Sequence, residues 1–243
     1  MQVMKQKSTG FQLSHLIKAV IGGVGSGKTL SVVKDIVDSG VPTFSNMDIH
    51  VENNYRLKKE DIIDTKQESI KKDGTPVMKP YINWDFWNDK DNFNLFLDEI
   101  HNIMHSRQSM SKWNVLMSMW ISQIRKILGS SEKNDIVCIS QKLARIDVSL
   151  RDLLHEITLV RKCQVNKTMP TLVWEKGKVV EKDLPITWIE KKYFTGDFAV
   201  EDYHDFVFDG KKSWSSRSRF IGNPYYVYYD SFALVKFGDD VYL

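Results

Sequence analysis

Gly22-Gly23-Val24-Gly25-Ser26-Gly27-Lys28-Thr29 stands between an apolar run, LSHLIKAVI at 13–21, and Thr29–Asp38, whose Leu30, Val32, Val33, Ile36 and Val37 form a helical apolar face. The pattern is G-x-x-x-x-G-K-[ST]. Its glycines let successive backbone N–H groups converge on phosphates without interference from side chains. The helix that follows turns its positive N-terminal end toward the same point. In this setting Lys28 reaches the outer phosphates and the Thr29 hydroxyl is a Mg²⁺ ligand. The alternative is an ordinary Gly-rich turn, and the placement between strand and helix argues against it. All eight residues, Gly22, Gly23, Val24, Gly25, Ser26, Gly27, Lys28 and Thr29, are expected to bind ATP.

Ser39-Gly40 ends the helix, and PTFSNMDI (42–49) reads as a second extended segment. Strand, loop, helix and strand make one βαβ unit, which predicts an α/β fold: a P-loop domain with a mainly parallel sheet flanked by helices. Residues 52–80 are polar and Lys-rich and read as a mobile excursion, with a short helix around Lys58–Ile63. FNLFLD (93–98) and DIVCIS (135–140) read as further buried strands, and Ser111–Leu128 as a helix packed on the sheet. Ser149–Glu156 reads as helical and Ile157–Arg161 as extended. Beyond about residue 164 short runs alternate with turn signals: TLVWEKGKVV, ITWIEKKYF and PYYVYYDSFALVKF, with a hairpin turn at Glu175–Lys178. The organisation expected is a core over 1–164 and a small β-rich C-terminal extension over 165–243.

The run Leu95-Phe96-Leu97-Asp98-Glu99 ends a strand in two carboxylates. Beside a P-loop, Asp98 is placed to hold Mg²⁺ and Glu99 to polarise an attacking water as general base. On its own the run is only a strand leaving the core into an acidic turn. Gln141 follows the strand ending Ile139-Ser140, at the sheet end where ligands bind in parallel sheets. Its amide can contact the γ-phosphate or the water, or it is a solvated strand-end residue.

Composition bounds the partners. The chain has 243 residues, 42% hydrophobic and 27% charged, with 12% aromatics, which fits a globular protein. A net charge of +3 makes any nucleic-acid contact local. Cys138 lies in an apolar run and with Cys163 gives neither a disulfide framework nor a zinc set. His101 and His105 have i, i+4 spacing without an evident third ligand and, with His155, read as structural. No run of about 18 apolar residues occurs.

P-loop, Leu-Asp-Glu99, Ile124-Arg125-Lys126, Ile-Val-Cys-Ile-Ser-Gln141, Ala144-Arg145-Ile146-Asp147 and Leu150-Arg151, in that order, resemble the FtsK/HerA superfamily of DNA-pumping ATPases. Within it the pattern is similar to the zonula-occludens-toxin-like (Zot-like) branch and to viral packaging ATPases; Phe44-Ser45-Asn46 and Tyr229-Asp230-Ser231-Phe232 also resemble that branch. The resemblance implies ATP and Mg²⁺ as cofactors. It implies a ring, usually a hexamer, that threads double-stranded DNA without reading its sequence, Gln141 as sensor, and an arginine inserted into the neighbour's site. Arg125 is the first candidate for that arginine; Arg145 and Arg151 follow, with Arg107 and Arg161 behind. Lys112, Lys133 and the segment Lys211–Arg219 are candidate DNA contacts, each of which could equally be a solvated basic loop.

Toxin-like phage assembly proteins resemble membrane-anchored chains, and no anchor is seen here. The expectation is therefore a genome-packaging ATPase in the cytoplasm of an infected host cell, associating with a capsid vertex or virion. The alternatives are a Zot-like phage morphogenesis ATPase and, from another class, a stand-alone nucleotide switch or small-molecule kinase.

Overall fold

The computed structural model describes residues 16–104, 111–128, 134–163, 167–194 and 216–230. The strands are β1 (Ile17–Ile21), β2 (Thr43–Ser45), β3 (Asn54–Arg56), β4 (Ile63–Ile70), β5 (Pro76–Ile82), β6 (Asn94–Leu97), β7 (Ile136–Ser140), β8 (Glu156–Lys162), β9 (Thr168–Glu175), β10 (Lys178–Pro185), β11 (Thr187–Phe194) and β12 (Ser216–Ile221). The α-helices are α1 (Lys28–Ser39), α2 (Lys59–Ile62), α3 (Trp84–Trp87), α4 (Ile100–Ile103), α5 (Lys112–Ile124) and α6 (Val148–Arg151).

Eight strands form one sheet in the order β12-β11-β8-β1-β7-β6-β2-β3. The six from β8 to β3 are parallel, while β11 and β12 are antiparallel. The central strands read as continuous apolar runs because both faces are covered. Ile17, Ala19 and Ile21 of β1, with Ile136 and Cys138 of β7, pack with α5, whereas Val20, Val137 and Ile139 pack with α1. Burial pushes the Cys138 thiol up to about 12, so it stays protonated and inert. This is the mainly parallel P-loop architecture expected, and β11 and β12 carry its hydrogen bonding without a break past residue 164.

Three local expectations are corrected. Within residues 52–80, read as a mobile excursion with a short helix, the helix is α2, and most of the rest belongs to the antiparallel hairpin β4–β5, with Lys71 and Gly74 closing its turn. Its alternation was hidden because most of β4 is exposed on both faces, so no apolar side marks it. The helix expected over Ser149–Glu156 is only the one-turn α6, capped by Asp147 through Ser149 N–H (3.0 Å); Glu156 already belongs to β8. PYYVYY is not a strand: Asn223–Tyr228 is a 3₁₀ segment starting with Pro224 near its N-terminus, packed on α1 through Tyr225 and Tyr226. The turn at Glu175–Lys178 closes β9 on β10 as expected, with Lys176 (φ 51°) and Gly177 (φ 77°) both left-handed.

Candidate functional site

Strand order assembles the site. P-loop, Gln141 and Asp98-Glu99 follow β1, β7 and β6, which are adjacent, so all three meet at one end of the sheet. Gly27 caps α1 at φ 90°, where a residue with a Cβ would be strained, and that Cβ would come within 2.5 Å of the Trp188 ring. Space around Gly25 (φ 68°) is open on the outer side. No side chain caps α1 and no acidic residue sits in its first turn, so its N-terminal N–H groups face the loop without a competing anion. Ser26 Oγ is buried with no hydrogen-bond partner among the described residues. A backbone cradle with open space, an uncapped helix end and an orphaned hydroxyl together fit a bound phosphate chain.

Thr29 Oγ1 donates to Asp98 Oδ2 at 3.0 Å. These are the two oxygens expected to share Mg²⁺, and their contact fits the donor set a hard cation takes. Asp98 is buried, and burial raises its pKa; Glu99 raises it further, against the lowering from Glu99 N–H, Thr29 and Lys28. Lys28 Nζ donates to Gly23 O at 3.1 Å, and burial lowers its pKa, opposed by the charges of Asp98 and Glu99. Each group would be relieved by a ligand of opposite charge.

Asn46 was noted in the sequence only as part of a Phe-Ser-Asn element. Here its amide donates to Asp98 O (2.9 Å) and its carbonyl accepts from Asp98 N–H (2.8 Å). It pins the end of β6 by both backbone groups. Glu99 sits in the left-handed region at φ 48°, and its Oε2 lies 3.0 Å from His101 Nε2. His101, read from the sequence as structural, also places Nδ1 3.3 Å from Ser140 Oγ. Arg145 Nη1 donates to Gln141 Oε1 at 3.1 Å.

The other arginines lie elsewhere. Arg125 Nη1 is 3.4 Å from His155 Nε2, and His155 Nδ1 accepts from Ile17 N–H. Ile17 opens β1, so Arg125 is at the opposite end of the sheet from its own P-loop. Arg151 on α6 has a buried Nε with no hydrogen-bond partner among the described residues. Arg161 and Lys112 are exposed. Arg107, His105, Lys133, Lys211–Ser215 and Ser231-Phe232 lie outside the described residues. Among the described residues no group of three or more metal-ligating side chains occurs, and no helix is long and apolar enough to cross a membrane.

Trp188 under Gly27, and Tyr229, buried and with its pKa raised by burial and by the charges of Tyr226 and Asp98, come from the C-terminal third. Asp230 Oδ2 accepts from Lys176 N–H at 2.9 Å, tying the β9–β10 turn to the same segment. Sequence spacing gave no signal for these long-range contacts.

A family model described as Zonular occludens toxin (Zot) matches residues 16–169. Among solved structures, the N-terminal domain of zonular occludens toxin from Neisseria meningitidis is 15% identical, with 86% of this chain and 94% of that chain covered and a TM-score of 0.47. The genome packaging NTPase B204 from Sulfolobus turreted icosahedral virus 2, in complex with AMPPCP, is 11% identical, with 60% and 74% covered and a TM-score of 0.36. No curated protein matches.

Proposed function

The chain belongs to the zonular occludens toxin family, and from that premise we propose that it is a Mg²⁺-dependent ATPase that moves double-stranded DNA during phage assembly, working as a ring. The observation that carries the ATPase reading is the convergence of Thr29, Asp98, Glu99 and Gln141 from neighbouring elements onto the open end of the P-loop. Gly22–Thr29 bind the nucleotide phosphates, Lys28 neutralises them, and Thr29 and Asp98 hold Mg²⁺, which screens the phosphate charge when bound. Glu99 accepts a proton from the attacking water, and Gln141 senses the nucleotide. A carboxylate placed for water suits hydrolysis better than transfer to a small-molecule acceptor.

DNA contact is supported by the antiparallel flank. Lys191 of β11 lies directly opposite Arg217 of β12, and Ile189 lies between Arg161 of β8 and Arg219 of β12. Alternation along the strands puts all four cations on one face. Like charges directly opposite are destabilising in a sheet. Burial and the charges of Arg161 and Arg217 lower the Lys191 pKa. Such a face suits a polyanion gripped by its phosphates. In a ring, a trans arginine would complete each site; Arg125 is the candidate for that role, and its distance from its own P-loop is compatible with it.

Between the two assembly readings, the family match favours a Zot-like morphogenesis ATPase. Packaging into a preformed capsid is the second, and it rests on the ordered motifs alone. The deciding experiment is the steady-state ATPase rate with and without long double-stranded DNA, with Glu99→Gln as control. Stimulation by DNA that disappears in Glu99→Gln supports the translocase. A DNA-indifferent rate removes DNA as the activator, and stimulation by host membranes in its place would favour an envelope-bound assembly partner.

A further inference from the structure

We propose that His101 is a positioning residue that ties the catalytic carboxylate of Glu99 to the sensor strand. The inference rests on the reading of Glu99 as general base. Glu99 is a non-glycine residue in the left-handed region, an uncommon conformation that needs surrounding contacts to hold it. The contact on its side chain is His101: Nε2 to Glu99 Oε2 at 3.0 Å. With Nε2–H donating there, Nδ1 faces Ser140 Oγ at 3.3 Å, and the Ser140 hydroxyl donates in turn to Lys142 O at 3.2 Å. Ser140 is buried at the last position of β7, directly before Gln141.

Arg145 completes the link from the other side. Its Nη1 donates to Gln141 Oε1 and lies 3.5 Å from His101 Nε2. Holding the carbonyl of Gln141 fixes the amide so that its NH₂ group points away from Arg145, available to an acceptor such as a phosphate oxygen. Glu99, His101 and Ser140 therefore form one polar chain that ends directly before Gln141, and Arg145 holds the Gln141 carbonyl. A displacement of Gln141 by a ligand is passed to the carboxylate through two hydrogen bonds. His101 acts through Glu99. One oxygen of Glu99 is engaged, which leaves the other to accept from water in a fixed direction.

The test compares His101→Ala, His101→Gln and Glu99→Gln by single-turnover ATP hydrolysis and by titration with a fluorescent ATP analogue. His101→Ala is expected to lower the hydrolysis rate constant about tenfold, a fraction of the roughly 10²–10⁴-fold that a general base supplies, with nucleotide affinity unchanged. His101→Gln, which restores an N–H at similar reach, is expected to recover most of that loss. Ser140→Ala is expected to act in the same direction, with no additional loss when combined with His101→Ala. Hydrolysis at the wild-type rate in His101→Ala, while Glu99→Gln is inactive, overturns the proposal. So does a parallel fall in nucleotide affinity, or no recovery in His101→Gln, since either marks a role in folding the site rather than aiming Glu99. Full hydrolysis in Glu99→Gln instead defeats the general-base reading beneath it.

Discussion

The two ends of the parallel sheet treat their polar groups in opposite ways. At the end where β1 starts, charges and backbone groups satisfy one another. Lys18 pairs with Asp135, whose Oδ1 accepts from Leu16 N–H (3.2 Å), while Asn94 accepts from Asp135 N–H (2.8 Å). His155 closes β1 by exchanging contacts with both backbone groups of Ile17. At the end where β1 finishes, α1 begins uncapped, Ser26 Oγ has no partner among the described residues, Asp98 is a buried carboxylate with a raised pKa, and Glu99 is held left-handed. At the first end the groups around the start of β1 are paired with one another. The other leaves donors and charges poised, which is how binding and catalytic groups differ from structural ones at the cost of local stability.

That contrast can be broken at Glu99 first. Glu99→Gly should lower hydrolysis by roughly 10²–10⁴-fold by removing the base, yet leave stability unchanged or up to about 1 kcal/mol higher, because glycine accepts a left-handed φ freely. Thermal melts beside turnover would show it; a clear drop in melting temperature would mean that Glu99 is structural. Lys28→Ala comes next. Loss of a charge-assisted contact to phosphate should weaken ATP binding on the order of 100-fold, with stability little changed because burial already disfavours the charged amine. Isothermal titration reads the affinity, and an unchanged Kd would remove Lys28 from the phosphate site.

At the settled end the signs reverse. Asp135→Ala should cost about 2 kcal/mol, between exposed and buried ion pairs, since Lys18 and Leu16 N–H lose their shared partner while both side chains are mostly covered. Its ATP affinity should match the wild type, and denaturant unfolding beside titration separates the two. The smallest effect concerns pH. Burial, then Arg125, lowers the His155 pKa, and Nδ1, which accepts from Ile17 N–H, cannot take a proton without losing that bond. A folded-state pKa below the unfolded value near 6.5 means the neutral form is favoured by folding. Stability from this group is therefore full above the unfolded pKa and is lost as pH falls through it. His155→Gln should flatten the fall in melting temperature on acidification below about pH 6.5; an unchanged slope would show that His155 does not report on this end.

Local pattern carried much of this protein. The P-loop, the apolar runs of β1, β6 and β7, the helical spacing of α1 and α5, and the Lys176-Gly177 turn are all short-range features, set by steric freedom at glycine and by which faces must be buried. The order of those motifs likewise carried the family. What spacing could not show is which distant residues meet. The hairpin β4–β5 has no apolar face to betray it, and PYYVYY is rich in strand-forming residues yet winds into a 3₁₀ turn, because packing its tyrosines on α1 overrides local propensity. Asn46 on Asp98, Trp188 under Gly27 and Arg145 on Gln141 join segments 52, 161 and 4 residues apart. Even the short separation needed the turn after β7 to bring the two side chains together. Sequence determined that this chain carries a G-x-x-x-x-G-K-[ST] loop between strand and helix and ends a strand in two carboxylates, since those are properties of backbone freedom and residue chemistry. Only the tertiary structure decided that His101 holds Glu99 and that Arg125 stands at the far end, since hydrogen bonds are made by position in space and not along the chain.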